Sequence, residues 1–118
     1  MKPLERLRDR HAVTAVDIDG ATAFTRDAAP GVLLLPGDPT RPELTDVAVV
    51  LGELATRFPR FRLGIAPEGD EAAMRVRFGV TAFPALLFVR GGEVVTSIAR
   101  MQAWSAYESA ARALEVQR

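Results

Sequence analysis

The 118-residue sequence contains no cysteine, and that absence removes more chemistry than any residue present supplies. Without a thiol there is no thiolate to attack a substrate and no pair to exchange with a disulfide. Disulfides also drop out of the stability argument. Histidine is nearly missing: His11 stands alone before the first expected strand, and with no second histidine it cannot build an ordinary zinc site. Net charge is missing too, because 15 Lys and Arg balance 15 Asp and Glu, so no bulk field draws the chain to nucleic acid or an anionic membrane. No apolar run approaches the ~20 residues that a membrane span needs. The segment Met1 to Arg10 is charged throughout and lacks the apolar stretch of a secretory signal, so the expected location is the cytoplasm.

What is present is ordinary for a folded domain. Hydrophobic residues make up 48% and charged ones 25%, enough to bury a core at this length without metal or disulfide. We expect one domain over 1–118, with 1–12 a helical lead-in that turns Leu4 and Leu7 to one side. Val13 to Ile18 alternates as a partly exposed strand does. Asp19 is placed to cap a short helix to Asp27. Val32-Leu33-Leu34-Leu35 lies between turn residues and predicts a strand buried on both faces. Thr40-Arg41-Pro42-Glu43 fits a capping box with Thr40 as N-cap. The helix beyond it carries Leu44, Val47, Leu51, Leu54 and Phe58 on one stripe and stops at Pro59.

Phe61 to Ala66 predicts a second strand, parallel to the first if the intervening helix is a right-handed crossover. Asp70 would cap a helix through Phe78, with Gly79 as its left-handed terminator. Ala85 to Val89, a three-residue link Arg90-Gly91-Gly92, and Glu93 to Ile98 read as an antiparallel hairpin. A last helix, Gln102 to Val116, puts Trp104, Tyr107, Ala111 and Leu114 on its inner stripe. The result is an α/β three-layer sandwich, a mixed sheet with helices on both faces.

Phe78-Gly79-Val80-Thr81-Ala82-Phe83-Pro84-Ala85-Leu86-Leu87-Phe88-Val89-Arg90-Gly91-Gly92 resembles the C-terminal half of thioredoxin, and Val32 to Phe58 resembles its strand and active-site helix. The resemblance implies a thioredoxin-like fold with Pro84 cis and facing the site. It also places Arg41-Pro42-Glu43-Leu44 where that family carries Cys-Gly-Pro-Cys. The buried aspartate that tunes the redox pair falls on Leu35, and a glycine beside the site falls on Arg100. Thiols, proton acceptor and open floor are replaced together.

A narrower family is similar over residues 30 to 115. Gly31 to Leu35, the Asp38-Pro39-Thr40-Arg41 turn, Asp46, Gly52-Glu53-Leu54, Phe58-Pro59 and Arg77 to Ala85 resemble the [NiFe]-hydrogenase maturation proteins HyaE, HupG and HoxO. This resemblance implies a chaperone without redox activity or cofactor. Its implied partner is the hydrogenase small-subunit precursor, bound through a twin-arginine signal peptide before assembly and export. Other maturation factors are further implied partners.

The residues allow a surface for such a partner. Asp38, Glu43 and Asp46 cluster at the start of the main helix, where carboxylates could take arginine side chains in bidentate pairs; acids also gather at helix N-termini for the dipole alone. Phe83 and Pro84 would wall a groove, where the backbone of Phe83 could pair with an extended peptide. Trp104 either rims that groove or belongs to the core. Arg41 and Arg100 either close the old cleft on Asp38 or Glu43 or meet an acidic partner.

Other signals are weaker. Arg57-Phe58-Pro59-Arg60-Phe61-Arg62 interleaves cations and aromatics, but Phe58 and Phe61 have core positions, so nucleic acid is not an expected partner. Ser97, Ser105 and Ser109 have no histidine near them in sequence, and no nucleophile-base set is visible, so no enzymatic activity is expected. Membrane insertion is not expected, while self-association through a sheet edge or groove is open. The alternative function is a redox-inactive thioredoxin-like scaffold in another complex.

Overall fold

Two strands of almost unbroken aliphatic sequence decide the architecture. In a computed structural model, which describes residues 3–116, β2 (Gly31–Leu35) and β4 (Ala85–Arg90) are buried along their lengths except at Arg90. Residues 1–2 and 117–118 of the expected domain lie outside the described span. Successive strand side chains face opposite ways, so such runs need apolar cover on both sides. Val32, Leu34, Leu86 and Phe88 point into one core, whereas Leu33, Leu35, Ala85, Leu87 and Val89 point into the other.

The first core is covered by α1 (Pro3–Arg10), α3 (Pro42–Arg57) and α5 (Trp104–Val116). The second is covered by α2 (Ala21–Arg26) and α4 (Glu71–Phe78). With β1 (Val13–Ala15), β3 (Arg62–Ile65) and β5 (Glu93–Ala99), the sheet runs β1-β3-β2-β4-β5. The pairs β1–β3 and β3–β2 are parallel, while β2–β4 and β4–β5 are antiparallel. The expected mixed sandwich is therefore present. Leu44, Leu51 and Leu54 of α3 are 0–2% exposed, and burying each is worth roughly 1.5–3 kcal/mol.

Most corrections concern how elements begin. Arg41, not Thr40, is the N-cap of α3, and no side chain caps it. Pro42 at the helix start has no N–H to satisfy, Thr40 turns its hydroxyl onto Asp38, and Glu43 reaches across to another loop. Asp19 does not cap α2; Gly20 is the N-cap, and its N–H donates to Asp17 Oδ1 at 2.7 Å. Asp70 stands at the N-cap of α4 after a single 3-10 turn (Glu68–Asp70), but its carboxylate accepts the Ile18 N–H at 2.8 Å. Gly79 does terminate α4, at φ +67°.

β1 is shorter than expected, since Asp17 and Gly20 form a turn, although Val16 N–H still reaches Ile65 at 3.0 Å. The hairpin link is two residues, not three: Arg90 pairs with Glu93, leaving Gly91 and Gly92 at φ +59° and +91°. Paired positive φ values match the twist of the flanking strands, and glycine adopts them at no steric cost. α5 starts at Trp104 rather than Gln102, because Gln102 donates its N–H to the buried Tyr107 hydroxyl at 2.9 Å.

Candidate functional site

The site forms where β2 ends and the chain turns into α3. Pro36 follows the strand, and Gly37 turns left-handed at φ +75°. A Cβ at Gly37 would collide with the Phe83 Cβ, so the glycine is what lets the turn lie against Phe83. Asp38 then organises a tight turn. Its Oδ1 accepts the Thr40 N–H at 2.9 Å and the Thr40 hydroxyl at 2.7 Å, while its carbonyl accepts the Arg41 N–H at 3.2 Å. The Thr40 hydroxyl and N–H, helped by the Arg41 charge, hold the Asp38 carboxyl below its usual range.

Arg41 crosses the cleft and donates from Nη1 to the carbonyl of Phe83 at 3.1 Å. The peptide between Phe83 and the buried Pro84 is cis, as the resemblance implies. Facing it, Glu43 is engaged through both oxygens. Oε2 accepts the Met101 N–H at 2.6 Å and Oε1 accepts Arg100 Nε–H at 2.8 Å. The Met101 N–H, then Arg100 and Arg41, hold this carboxyl below its usual range. The Arg100 side chain is 45% exposed and that of Glu43 20%, so the pair is solvated and exchangeable.

The loop bearing Arg100 is pinned from behind. Arg100 sits at φ +64° with its N–H on the Pro84 carbonyl at 2.7 Å. The fully buried Tyr107 donates its hydroxyl to the Arg100 carbonyl at 3.1 Å. These contacts enclose a cleft of about 490 Å³ lined by Asp38, Arg41, Thr81, Ala82, Phe83 and Arg100.

The structure therefore lines the cleft with Asp38, Arg41, Phe83 and Arg100 and sets Glu43, bound to Arg100, and the buried Pro84 directly behind that lining, but it does not bring two other candidates to the cleft. Asp46 is exposed one turn further along α3 and does not line the cavity. Trp104 is half-buried against the first core, with the Arg57 guanidinium 5.1 Å from its ring centroid, and does not line it either. Sequence reasoning missed Glu71, because its approach to Gly37 is a tertiary event. Burial, with Glu68 and Asp38 nearby, raises its carboxyl above the usual range, although the Gly37 N–H opposes this; its Oε1 is buried without a partner.

One carboxylate, Asp38, and two guanidiniums line the cleft, and the guanidiniums rest on the Phe83 carbonyl and on Glu43. Such a set exchanges ion pairs and hydrogen bonds. Among the described residues, no group of three or more His, Cys, Asp or Glu is arranged to hold a metal ion. No helix there is long and apolar enough to cross a membrane.

Comparison with known proteins extends these observations. Solved structures share the architecture at low identity. Thioredoxin from Malassezia sympodialis superposes with a TM-score of 0.75 at 12% identity, over 91% of this chain and 94% of its own. Mitochondrial thioredoxin 3 from Saccharomyces cerevisiae gives 0.74 at 14%, over 86% and 95%. These likenesses establish a thioredoxin-like fold. In sequence, the chain is 46% identical over 104 residues to the hydrogenase expression/formation protein HupG of Bradyrhizobium diazoefficiens, covering 83% of this chain and 70% of that protein. It is 40% identical over 108 residues to HoxO of Cupriavidus necator, a protein of the same description, covering 88% and 67%. The family model for the hydrogenase-1 expression protein HyaE matches residues 4–107, a span that includes both walls of the cleft. A thioredoxin-like chain without cysteine, matched along nearly its whole length by that model, belongs to the HyaE family of hydrogenase expression proteins and shares its role in hydrogenase maturation.

Proposed function

We propose that this protein is a cytoplasmic, non-catalytic chaperone that binds the small-subunit precursor of a [NiFe] hydrogenase through its twin-arginine signal peptide. The observation that carries the reading is that the cleft already accommodates two arginine side chains, both its own. Arg41 occupies the Phe83 carbonyl and Arg100 occupies Glu43. An incoming arginine pair offers the same donors, so it can take these acceptors as Arg41 and Arg100 swing into water. Guanidinium favours such exchange because its planar fork matches a carboxylate, which an ammonium does not. An apolar stretch beside the arginines would then lie along Phe83. Binding is reversible by this scheme, because each lost contact inside the protein is replaced by an equivalent one.

The test is co-purification of a tagged precursor with the wild-type protein and with Phe83→Asp. Phe83 is partly buried at the margin of the second core, so circular dichroism first checks that the variant is folded. The reading expects capture of the precursor by wild type, loss of capture with Phe83→Asp, and loss when the signal peptide is deleted. Capture that survives both changes overturns it.

A further inference from the structure

α3 has a second face that the fold leaves open. Thr45, Ala48, Val49, Gly52, Glu53 and Thr56 recur at spacings of three and one, away from the stripe buried in the core. With Arg6, Leu7, Arg10 and His11 of the neighbouring α1 segment they line a groove of about 480 Å³. Leu7 and Ala48 form a dry floor at 4% exposure, and Val49 stands on it 66% exposed. From Thr45 to Thr56 the trough follows α3 for about 17 Å, three helical turns. That length fits a helix laid between two helices better than it fits a small molecule.

Its charge is one-sided. Arg6 and Arg10, one turn apart on α1, form no ion pair among the described residues, and His11 stands beside them. The lining carries one carboxylate, Glu53, and Arg57 already holds it at 2.8 Å. Two guanidiniums therefore face an apolar trough without compensation. We infer that the α1–α3 groove is a second docking site, separate from the Phe83 cleft, for an amphipathic helix of a partner protein with aliphatic residues on one face and acidic residues beside them. Leucines of the partner would cover Val49 and the floor, and its carboxylates would meet Arg6 and Arg10. The groove is concave, which favours a helix over a lipid surface, since bilayer binding needs apolar side chains that project.

The experiment titrates the isotope-labelled protein with a 15-residue helical peptide, with leucine at alternating third and fourth positions, glutamate beside the leucines and alanine or glutamine elsewhere. Amide shifts are followed by NMR. The expected result is saturable shifts at Leu7, Arg10, Val49 and Gly52, with Phe83 and Arg100 unmoved. Affinity should fall about tenfold in the double variant Arg6→Glu/Arg10→Glu. A lysine-for-glutamate peptide should fail. Gly52→Leu, whose Cβ has ordinary contacts of 3.5–3.8 Å with His11 and Leu7, should fill the groove without unfolding α3 and abolish the shifts. Absence of binding, shifts centred on the Phe83 cleft, or equal binding of the lysine peptide would each overturn the inference. So would retention of the protein on phosphatidylglycerol vesicles in competition with the acidic peptide, which would assign the groove to lipid.

Discussion

Replacing Arg100 by glycine and by alanine separates two things this residue does. Its backbone lies at φ +64°, a conformation that costs an L-residue roughly 1–2 kcal/mol and costs glycine little. Both replacements delete the ion pair to Glu43, so that contribution cancels between them. Both keep the backbone N–H on the Pro84 carbonyl. Alanine retains the conformational penalty, whereas glycine relieves it. Against this, the greater freedom of glycine in the unfolded chain returns about 0.4–1 kcal/mol. With each range taken at its middle, glycine should exceed alanine by about 0.8 kcal/mol, or about 2–5 °C in melting temperature. Thermal unfolding followed by circular dichroism measures the gap directly. Equal stability of the two variants, or a more stable alanine, would refute the claim that Arg100 is held in place against its own backbone preference. Peptide binding gives the second half of the comparison: both variants free Glu43 and should behave alike.

Three further outcomes follow from the geometry. Tyr107→Phe removes the hydroxyl that joins the Arg100 carbonyl to the Gln102 N–H. Both partners belong to exposed residues and can be partly rehydrated, so chemical denaturation should show a loss of about 1–2 kcal/mol. Gly37→Ala needs a positive φ and collides with Phe83, so it should destabilise by at least ~1–3 kcal/mol and displace Phe83 from the cleft, visible in its NMR shifts. Glu71→Gln should stabilise the protein near neutral pH. The folded state raises this carboxyl above its usual 4.5 and so binds its proton more tightly than the unfolded chain does; that penalty grows as pH rises past 4.5 and is absent below it. The advantage of the glutamine variant should therefore shrink to nothing on acidification. Asp38 and Glu43, held low, act oppositely: their stabilisation is present above their usual 3.8 and 4.5 and is lost as pH falls through their lowered values.

The sequence announces its sheet because β2 and β4 are apolar at every inner position, a pattern that only two-sided burial satisfies. Helix α3 is legible for a related reason, its stripe being fixed by 3.6-residue periodicity. Caps are where local reading fails. Thr40, Glu43, Asp19 and Asp70 all fit a cap in sequence, yet Glu43 and Asp70 bond to residues 58 and 52 positions away, and Thr40 to Asp38. A side chain that can serve a near or a far partner chooses by tertiary proximity. The cleft was legible where a family pattern marked it, at Phe83, Pro84 and Arg41. The pairing of Arg100 with Glu43 was one of the outcomes the sequence allowed, whereas that of Arg41 with the Phe83 carbonyl was not, since a backbone acceptor 42 positions away leaves no mark in the sequence. Trp104 fits the α5 stripe, but being first in that helix it ends at the rim of the core under Arg57.

The central claim, that the cleft exchanges its own arginines for those of a signal peptide, is tested most directly by fluorescence anisotropy. A labelled [NiFe]-hydrogenase small-subunit signal peptide is titrated with the protein, beside the same peptide carrying lysines for the arginine pair. The account predicts saturable binding that weakens with the lysine pair and tightens with Arg41→Ala, which frees the Phe83 carbonyl. No binding by the folded protein at high concentration, or binding indifferent to both changes, would contradict it.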